Sequence, residues 1–232
     1  MKKNTGKLIV IDGSDGSGKT TQVKILIERI KKEGHKVEMV DFPEYENNFF
    51  GKFIGHCLSE QNYNWLHIHP KIASIAYACD RFESKEKIEK WLTKGKIVVA
   101  NRYVSANQIH QGGKIKNSKK RAEFMEWLAQ MEYGVFKIPK PDVVFYLHLP
   151  VKDSLKLIED RNKTTTRAYL KKKKDVHEGD IDFLKNSRAS ALWLAEREKN
   201  WIKIDCSNKG EIFSREFIHE EVYKNVKKFL IK

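Results

Sequence analysis

Gly13-Ser-Asp-Gly-Ser-Gly-Lys-Thr20 is the stretch whose residue types and spacing already specify a chemistry. It fits G-x-x-x-x-G-K-[ST], in which glycines let successive backbone N–H groups turn inward around an anion, a lysine reaches the β- and γ-phosphates of a nucleotide, and a Ser/Thr hydroxyl ligates a divalent cation. Polyphosphate binding is thereby assigned to Gly13, Ser14, Asp15, Gly16, Ser17, Gly18, Lys19, Thr20 and Thr21. Lys19 is placed on the transferring phosphate and Thr20 on Mg²⁺. ATP or GTP is the expected ligand. The chain has no N-K-x-D sequence for reading guanine, which points away from the GTPases.

A phosphate loop leaves the acceptor undefined, and three further groups bear on it. Asp15 sits inside the loop, where a carboxylate would repel polyphosphate unless it turns towards a second ligand. Arg102, in Asn101-Arg-Tyr103, follows a buried apolar strand, and a bidentate guanidinium there can hold a phosphate and shield the repulsion between two anions brought into line. Tyr77 precedes Arg81 by one helical turn, so an aromatic ring and an arginine share a face, a plausible pair for reading a base.

The elements that must position these groups are legible from periodicity. Lys7–Ile11, Val37–Val40, Lys96–Ala100, Val143–Leu149 and Trp201–Ile204 read as strands, the middle ones buried on both faces. Helical stripes lie between them: Val23, Leu26, Ile27 and Ile30 before Gly34, Ile88, Trp91 and Leu92 before Gly95, and a helical stretch over Ile68–Cys79. Phe213, Phe217, Val222, Val226 and Phe229 read as the buried stripe of a C-terminal helix. Alternating strands and helices imply an α/β fold with a parallel sheet between helices and a ligand site at the carboxyl ends of the strands.

The chain has 232 residues, 40% of them hydrophobic, which suits one domain over 1–232 with a real core. Its apolar runs are too short to span a bilayer, and no signal-peptide pattern leads the first strand, so a membrane is not expected. Three cysteines without C-x-x-C spacing suggest neither disulfides nor structural zinc, and so a cytoplasmic location. His67-x-His69 is read as structural. The net charge of +14 favours a polyanionic partner, and Arg161–Lys174, with seven basic residues and no acid, carries half of it. Nucleic acid is not the expected partner, although charge alone permits it.

Seven segments then carry a resemblance: IVIDGSDGSGKTTQ, FPEYENNFFGKFI, YACDRFESKEKIEKWL, NRYVSANQIHQGGK, PKPDVVFYLHLP, RAYLKKKKDVHE and WIKID. In that order they resemble the thymidylate kinases over nearly the whole chain. The resemblance implies a P-loop kinase fold with a central five-stranded parallel sheet flanked by helices, a mobile basic lid over about 161–178, and a homodimer. It implies transfer of the ATP γ-phosphate to dTMP with Mg²⁺. Asp15 would approach the 3′-hydroxyl, Phe42 and Tyr77 would bracket the thymine, and Arg81 would donate to its O4. Asn107, Gln108 and Gln111 would border the base, Tyr103 would lie beneath the sugar, and Pro43 and Tyr45 would complete the acceptor loop. Arg102 would grip the acceptor phosphate, Arg161 and Arg167 would act from the lid, and Asp175 and Glu178 would stand near the acceptor and, through water, the metal.

Three positions depart from the family pattern. Asn101 stands where an aspartate helps hold the metal's hydration shell, Glu44-Tyr45 lacks an arginine for the acceptor phosphate, and Ser105-Ala106 inverts an Ala-Ser pair. Two other functions therefore stay open: a nucleotide sensor or nucleic-acid binder with lost turnover, and a deoxynucleoside kinase, which would need a carboxylate base beside an uncharged 5′-hydroxyl.

Overall fold

The computed structural model describes residues 6–60, 63–164 and 180–230. Among them, five parallel strands form one sheet: β1 (Lys7–Gly13), β2 (Val37–Asp41), β3 (Ile97–Asn101), β4 (Val143–His148) and β5 (Trp201–Asp205), in the order β2-β3-β1-β4-β5. The expected strands are all present, displaced by no more than two residues at an end. From β1 the chain builds one side of the sheet through β2 and β3, then crosses to the other side for β4 and β5. The strand order thus reverses beside β1, and in such sheets ligands collect in the crevice outside that strand's carboxyl end.

Strand alternation divides the core into two layers. Leu8, Val10, Val98, Ala100, Val144 and Tyr146 face one side with α4 (Lys85–Thr93), α6 (Ser118–Ala129) and α8 (Ile181–Ala195). Ile9, Ile11, Val99, Val143, Phe145 and Leu147 face the other, against α1 (Lys19–Lys32) and α9 (Arg215–Leu230). Each fully buried side chain of this kind contributes about 1.5–3 kcal/mol of transfer free energy, so both layers clamp β1 and hold its carboxyl end fixed. A third cluster, with Ile54, Leu58, Trp65 and Ala73, joins α2 (Phe49–Ser59) to α3 (Pro70–Glu83) beside the sheet.

Gly34 and Gly95 end α1 and α4 at φ +84° and +72°, the left-handed conformation that the sequence assigned to them. His69 caps α3, its Nδ1 accepting from the Lys71 N–H at 3.3 Å, in keeping with a structural role. The stripe expected for α9 needs correction. The helix buries Ile218, Val222 and Val226, with His219, Tyr223 and Leu230 beside them, while Phe217 stands half exposed and Phe213 precedes the helix. A period of four through 218, 222 and 226 fixes a face on which 217 cannot lie.

Two features had no sequence signal. A short α5 (Val104–Ala106) widens into a π-helical turn over Asn107–Gln111, and a second π turn, Gln130–Val135, follows α6. Such turns insert a residue into the helix and re-aim its side chains, frequently at functional sites. The last described helix before residue 180, α7 (Val151–Thr164), has Arg161 in its final turn. Arg167, Asp175, Glu178 and the rest of the expected lid beyond Thr164 lie outside the described residues.

Candidate active site

The loop between β1 and α1 is an anion cradle. Gly16 and Gly18 take φ +79° and +83°, and α1 begins at Lys19 with no acid in its first turn to compete with a bound anion. Close packing adds a second reason for glycine: a Cβ on Gly16 would lie 2.6 Å from the Ser154 carbonyl oxygen, and one on Gly13 2.7 Å from that of Leu147. Lys19 folds back over the loop, its Nζ donating to the carbonyls of Gly13 and Ser14 at 3.0 and 2.8 Å. The buried Ser17 Oγ has no hydrogen-bond partner among the described residues.

Arg102 follows β3 and faces the loop. Its backbone sits at φ +64°, a conformation that costs a non-glycine residue about 1–2 kcal/mol. Its N–H donates to the Ile11 carbonyl at 3.0 Å, and its guanidinium binds Asp15 through Nη2 and His110 Nε2 through Nη1 at 2.8 Å. Strained residues held by their surroundings cluster where function needs them. The inverted Ser105 is also accounted for: its Oγ donates at 2.6 Å to Asp12 Oδ2, buried on β1, which ties α5 to the phosphate loop.

Arg81, on α3, is buried, which opposes its charge, yet the ion pair with Glu132 holds its pKa above the usual arginine value. Nε donates to Glu132 Oε2 at 3.0 Å, Nη2 binds Oε1, and Nη1 donates to the Tyr103 carbonyl at 3.2 Å. Among the described residues three of the five N–H groups of the guanidinium are thus engaged, and Arg81 lines the cavity. Glu132 comes from the second π turn, and Asn107, on the first, reaches it at 3.4 Å while donating to the Ser74 carbonyl at 3.1 Å. Both π turns therefore converge on the charge that holds Arg81.

One cavity of about 860 Å³ joins these parts. It is lined by Asp15 to Thr21, by Phe42, Pro43 and Tyr45, by Tyr77 and Arg81, and by Asn101, Arg102, Asn107 and Gln111. Gly13, Ser14, Tyr103 and Gln108 are not on its wall. Tyr103 is buried beneath Phe42, ring centroids 5.8 Å apart, with its hydroxyl donating to the Pro139 carbonyl. The Gln108 carbonyl accepts from Ser190 Oγ at 2.9 Å. Glu44 also lies off the cavity wall: it is buried, its carboxylate bound by Lys87 at 2.6 Å and Asn47 at 2.8 Å, so it does not oppose an acceptor phosphate.

Sequence reasoning missed Asp41, His110, Glu132 and the wall between β5 and α9. Asp41 was findable, since it ends β2 opposite Asn101 in register and carboxyl ends of parallel strands are where ligands bind. Asn101 Nδ2 donates to Asp41 Oδ1 at 2.9 Å and reaches Thr20 Oγ1 at 3.4 Å, while its Oδ1 is buried without a partner among the described residues. Burial raises the Asp41 pKa, and the bond from Asn101 opposes that shift. Cys206 lines the far wall, and burial pushes its thiol up to about 12, which leaves it without thiolate character.

The description of the thymidylate kinases, as a family, matches residues 11–217. This chain belongs to the thymidylate kinase family. The thymidylate kinase of Plasmodium falciparum is 28% identical over 99% of this chain and 94% of its own length. A probable thymidylate kinase of Thermococcus onnurineus is 31% identical over 97% and 98%. The thymidylate kinase of Candida albicans superposes with a TM-score of 0.72 at 18% identity, covering 97% of this chain and 92% of that one, and so shares its fold. Membership makes the chain a nucleoside monophosphate kinase, which phosphorylates dTMP with ATP as donor and a metal ion. Among the described residues no helix is long and apolar enough to cross a membrane.

Proposed function

We propose that ATP lies on the phosphate loop and dTMP in the same cavity beyond it, with Arg102 on the acceptor phosphate and Arg81 on thymine O4. The observation that carries this reading is the placement of two arginines, from α3 and from the end of β3, on the wall that also holds Lys19. One fork then faces each end of the acceptor. Arg81 rewards the O4 acceptor of thymine and would face the N4 amino donor of cytosine, which rejects dCMP. Phe42 and Tyr77 bracket the base, Asn107 and Gln111 border it, and Asp15 turns to the 3′-hydroxyl. Lys19 neutralises the transferring phosphate. These groups supply alignment and charge, on which phosphoryl transfer mostly depends.

Mg²⁺ is the proposed metal, and the residues suit it: Thr20 is exposed on the cavity wall, and the orphaned Asn101 Oδ1 can accept from a metal-bound water. When bound, it would neutralise charge on the β- and γ-phosphates. Arg161 and Arg167 are read as cationic groups of a lid over about 161–178, from its run of positive charge and from the family resemblance; Asp175 and Glu178 retain the roles the resemblance implies. Exposed Phe49, Phe53, Ile72 and Ile75 on α2 and α3 support a homodimer, and three free cysteines support a cytoplasmic location.

An ADP-release assay across dTMP, dUMP, dCMP, dGMP and thymidine tests the assignment, with dTMP expected to give the highest kcat/KM and thymidine none. Turnover of thymidine at a comparable rate would identify a deoxynucleoside kinase. No turnover with any of them, alongside salt-sensitive binding to DNA, would identify the nucleic-acid-binding reading.

A further inference from the structure

His110 lies on the first π turn, buried on the cavity wall, between the acceptor arginine and α8. Its Nε2 is 2.8 Å from Arg102 Nη1, and its Nδ1 is 3.2 Å from Ser187 Oγ. The ring lies nearly parallel to Phe183, at 12°, with centroids 5.6 Å apart. A guanidinium carries donors only, so the nitrogen that meets it must present a lone pair. The ring proton therefore sits on Nδ1, pointing at Ser187, and the imidazole is neutral. Phe183 and Ser187 are four residues apart and share one face of α8, so a single helix both stacks the ring and fixes its tautomer.

We propose that His110 is a positioning residue for Arg102: its Nε2 accepts from one arm of the guanidinium while Asp15 holds the other, so that an acceptor phosphate meets an arginine already fixed in rotamer. Arginine otherwise loses large rotamer freedom on engaging a ligand, and ordering it beforehand lowers the cost of binding. The chemical type of residue 110 matters. A second carboxylate there, beside Asp15, would also hold the fork, but it would leave the pair of anions outweighing one guanidinium and repel the incoming phosphate. An apolar ring would fill the space and hold nothing. Neutral imidazole orients Arg102 without adding a second negative charge to that of Asp15.

The inference rests on the assignment of Arg102 to the acceptor phosphate, and the experiment separates the two. His110→Phe, His110→Gln, Ser187→Ala and Arg102→Ala are compared with the unmodified full chain by kcat and KM for dTMP. Calorimetric affinities for dTMP, for thymidine and for a non-hydrolysable ATP analogue complete the set. His110→Phe keeps a ring over Phe183 but offers no acceptor, and should weaken dTMP binding about three- to tenfold, the net size of one ordinary hydrogen bond, since the bond acts on dTMP only through Arg102. Thymidine and the ATP analogue should bind as before. His110→Gln, whose amide oxygen can accept, should stay within about twofold of the unmodified chain, since it restores that bond.

A space-filling role predicts the reverse order, Phe tolerated and Gln impaired, and that order overturns the proposal. Equal losses for dTMP and thymidine overturn it as well. Should His110→Phe not fold, Ser187→Ala decides, because it leaves the ring in place and removes the acceptor that fixes its tautomer: weaker dTMP binding with ATP unaffected supports the proposal, and unchanged dTMP binding overturns it. If Arg102→Ala leaves the ratio of dTMP to thymidine affinity unchanged, the assignment of Arg102 fails, whatever the order at position 110.

Discussion

The phosphate loop and the acceptor wall both present positive potential to an anion, and they are built in opposite ways. The loop uses backbone N–H groups of consecutive residues, oriented by glycines and by the start of α1. The wall uses side chains carried by separate elements, Arg81 on α3 and Arg102 after β3, each tied to a carboxylate. A backbone cradle needs no counter-charge, because its partial charges are spread over many dipoles. A buried guanidinium does need one, and the cost of leaving it unpaired decides how the wall responds to substitution.

The largest expected effect tests that contrast on the wall. Glu132→Ala strips the partner from a guanidinium that is almost wholly buried, and should cost about 3–5 kcal/mol of folding stability, read from urea denaturation. Replacing both members, Arg81→Met with Glu132→Leu, should recover most of that stability while erasing discrimination between dTMP and dCMP. If the double variant is as unstable as the single one, packing and not charge is the requirement at this site.

Next in size is a change in the loop that should leave the fold alone. Lys19→Ala should lower kcat by about 10²–10³-fold, the scale of losing one preorganised transition-state donor. Its thermal unfolding should move little, since the side chain donates to the loop carbonyls of Gly13 and Ser14, sits 3.9 Å from Asp15, and lies outside both core layers. A loss of stability comparable to that of Glu132→Ala would abolish the distinction between the two halves.

Gly16→Ala asks whether the cradle depends on backbone shape. At φ +79° and with the Ser154 carbonyl oxygen 2.6 Å from an added Cβ, the substitution forces the loop to shift, at about 1–3 kcal/mol of strain. Affinity for ATP should fall with little change in affinity for dTMP. Calorimetry with each ligand separately checks this, and a shared loss would show that the two halves are not independent.

The same difference explains what could be read before the structure was known. The loop occupies consecutive residues, so its motif, its strand and its helix are written together between Lys7 and Lys32. Strand positions were legible because buried parallel strands are continuous apolar runs. Arg81 and Arg102 were found through their order along the chain, and Asp15 with them, but the other groups that hold the two arginines were not. Glu132 and His110 lie on π turns, and an inserted residue shifts the facing of every side chain after it, which a period of 3.6 cannot anticipate. Phe217 was misassigned for a simpler reason: apolar residues crowd α9 on more than one face, and only packing selects among them.

The smallest expected effect concerns the corner where loop and wall meet. Asn101→Asp would restore the carboxylate that the family pattern carries there, but it would also replace the amide that donates to Asp41 at 2.9 Å. Asp41 is already held above its usual pKa, chiefly by burial, and would lose the hydrogen bond that opposes this and gain a like charge beside it. Its folded pKa should therefore rise further above its unfolded value. A carboxyl group raised in this way favours the folded state below the unfolded pKa, and that contribution is lost as pH rises through the folded one. The variant's deficit in Tm should accordingly widen as pH is raised above the ordinary carboxylate range in the absence of metal. Mg²⁺ with an ATP analogue should close it, because a divalent cation beside Thr20 turns the added charge from a penalty into an attraction. The net gain should be on the order of 1 kcal/mol, as desolvation offsets much of the Coulomb energy. Melting curves from the carboxylate range upward in pH, with and without Mg²⁺, measure both parts. A Tm difference independent of pH and of metal would mean that Asn101 serves only to join β2 and β3, and the metal would have to be sought away from this corner.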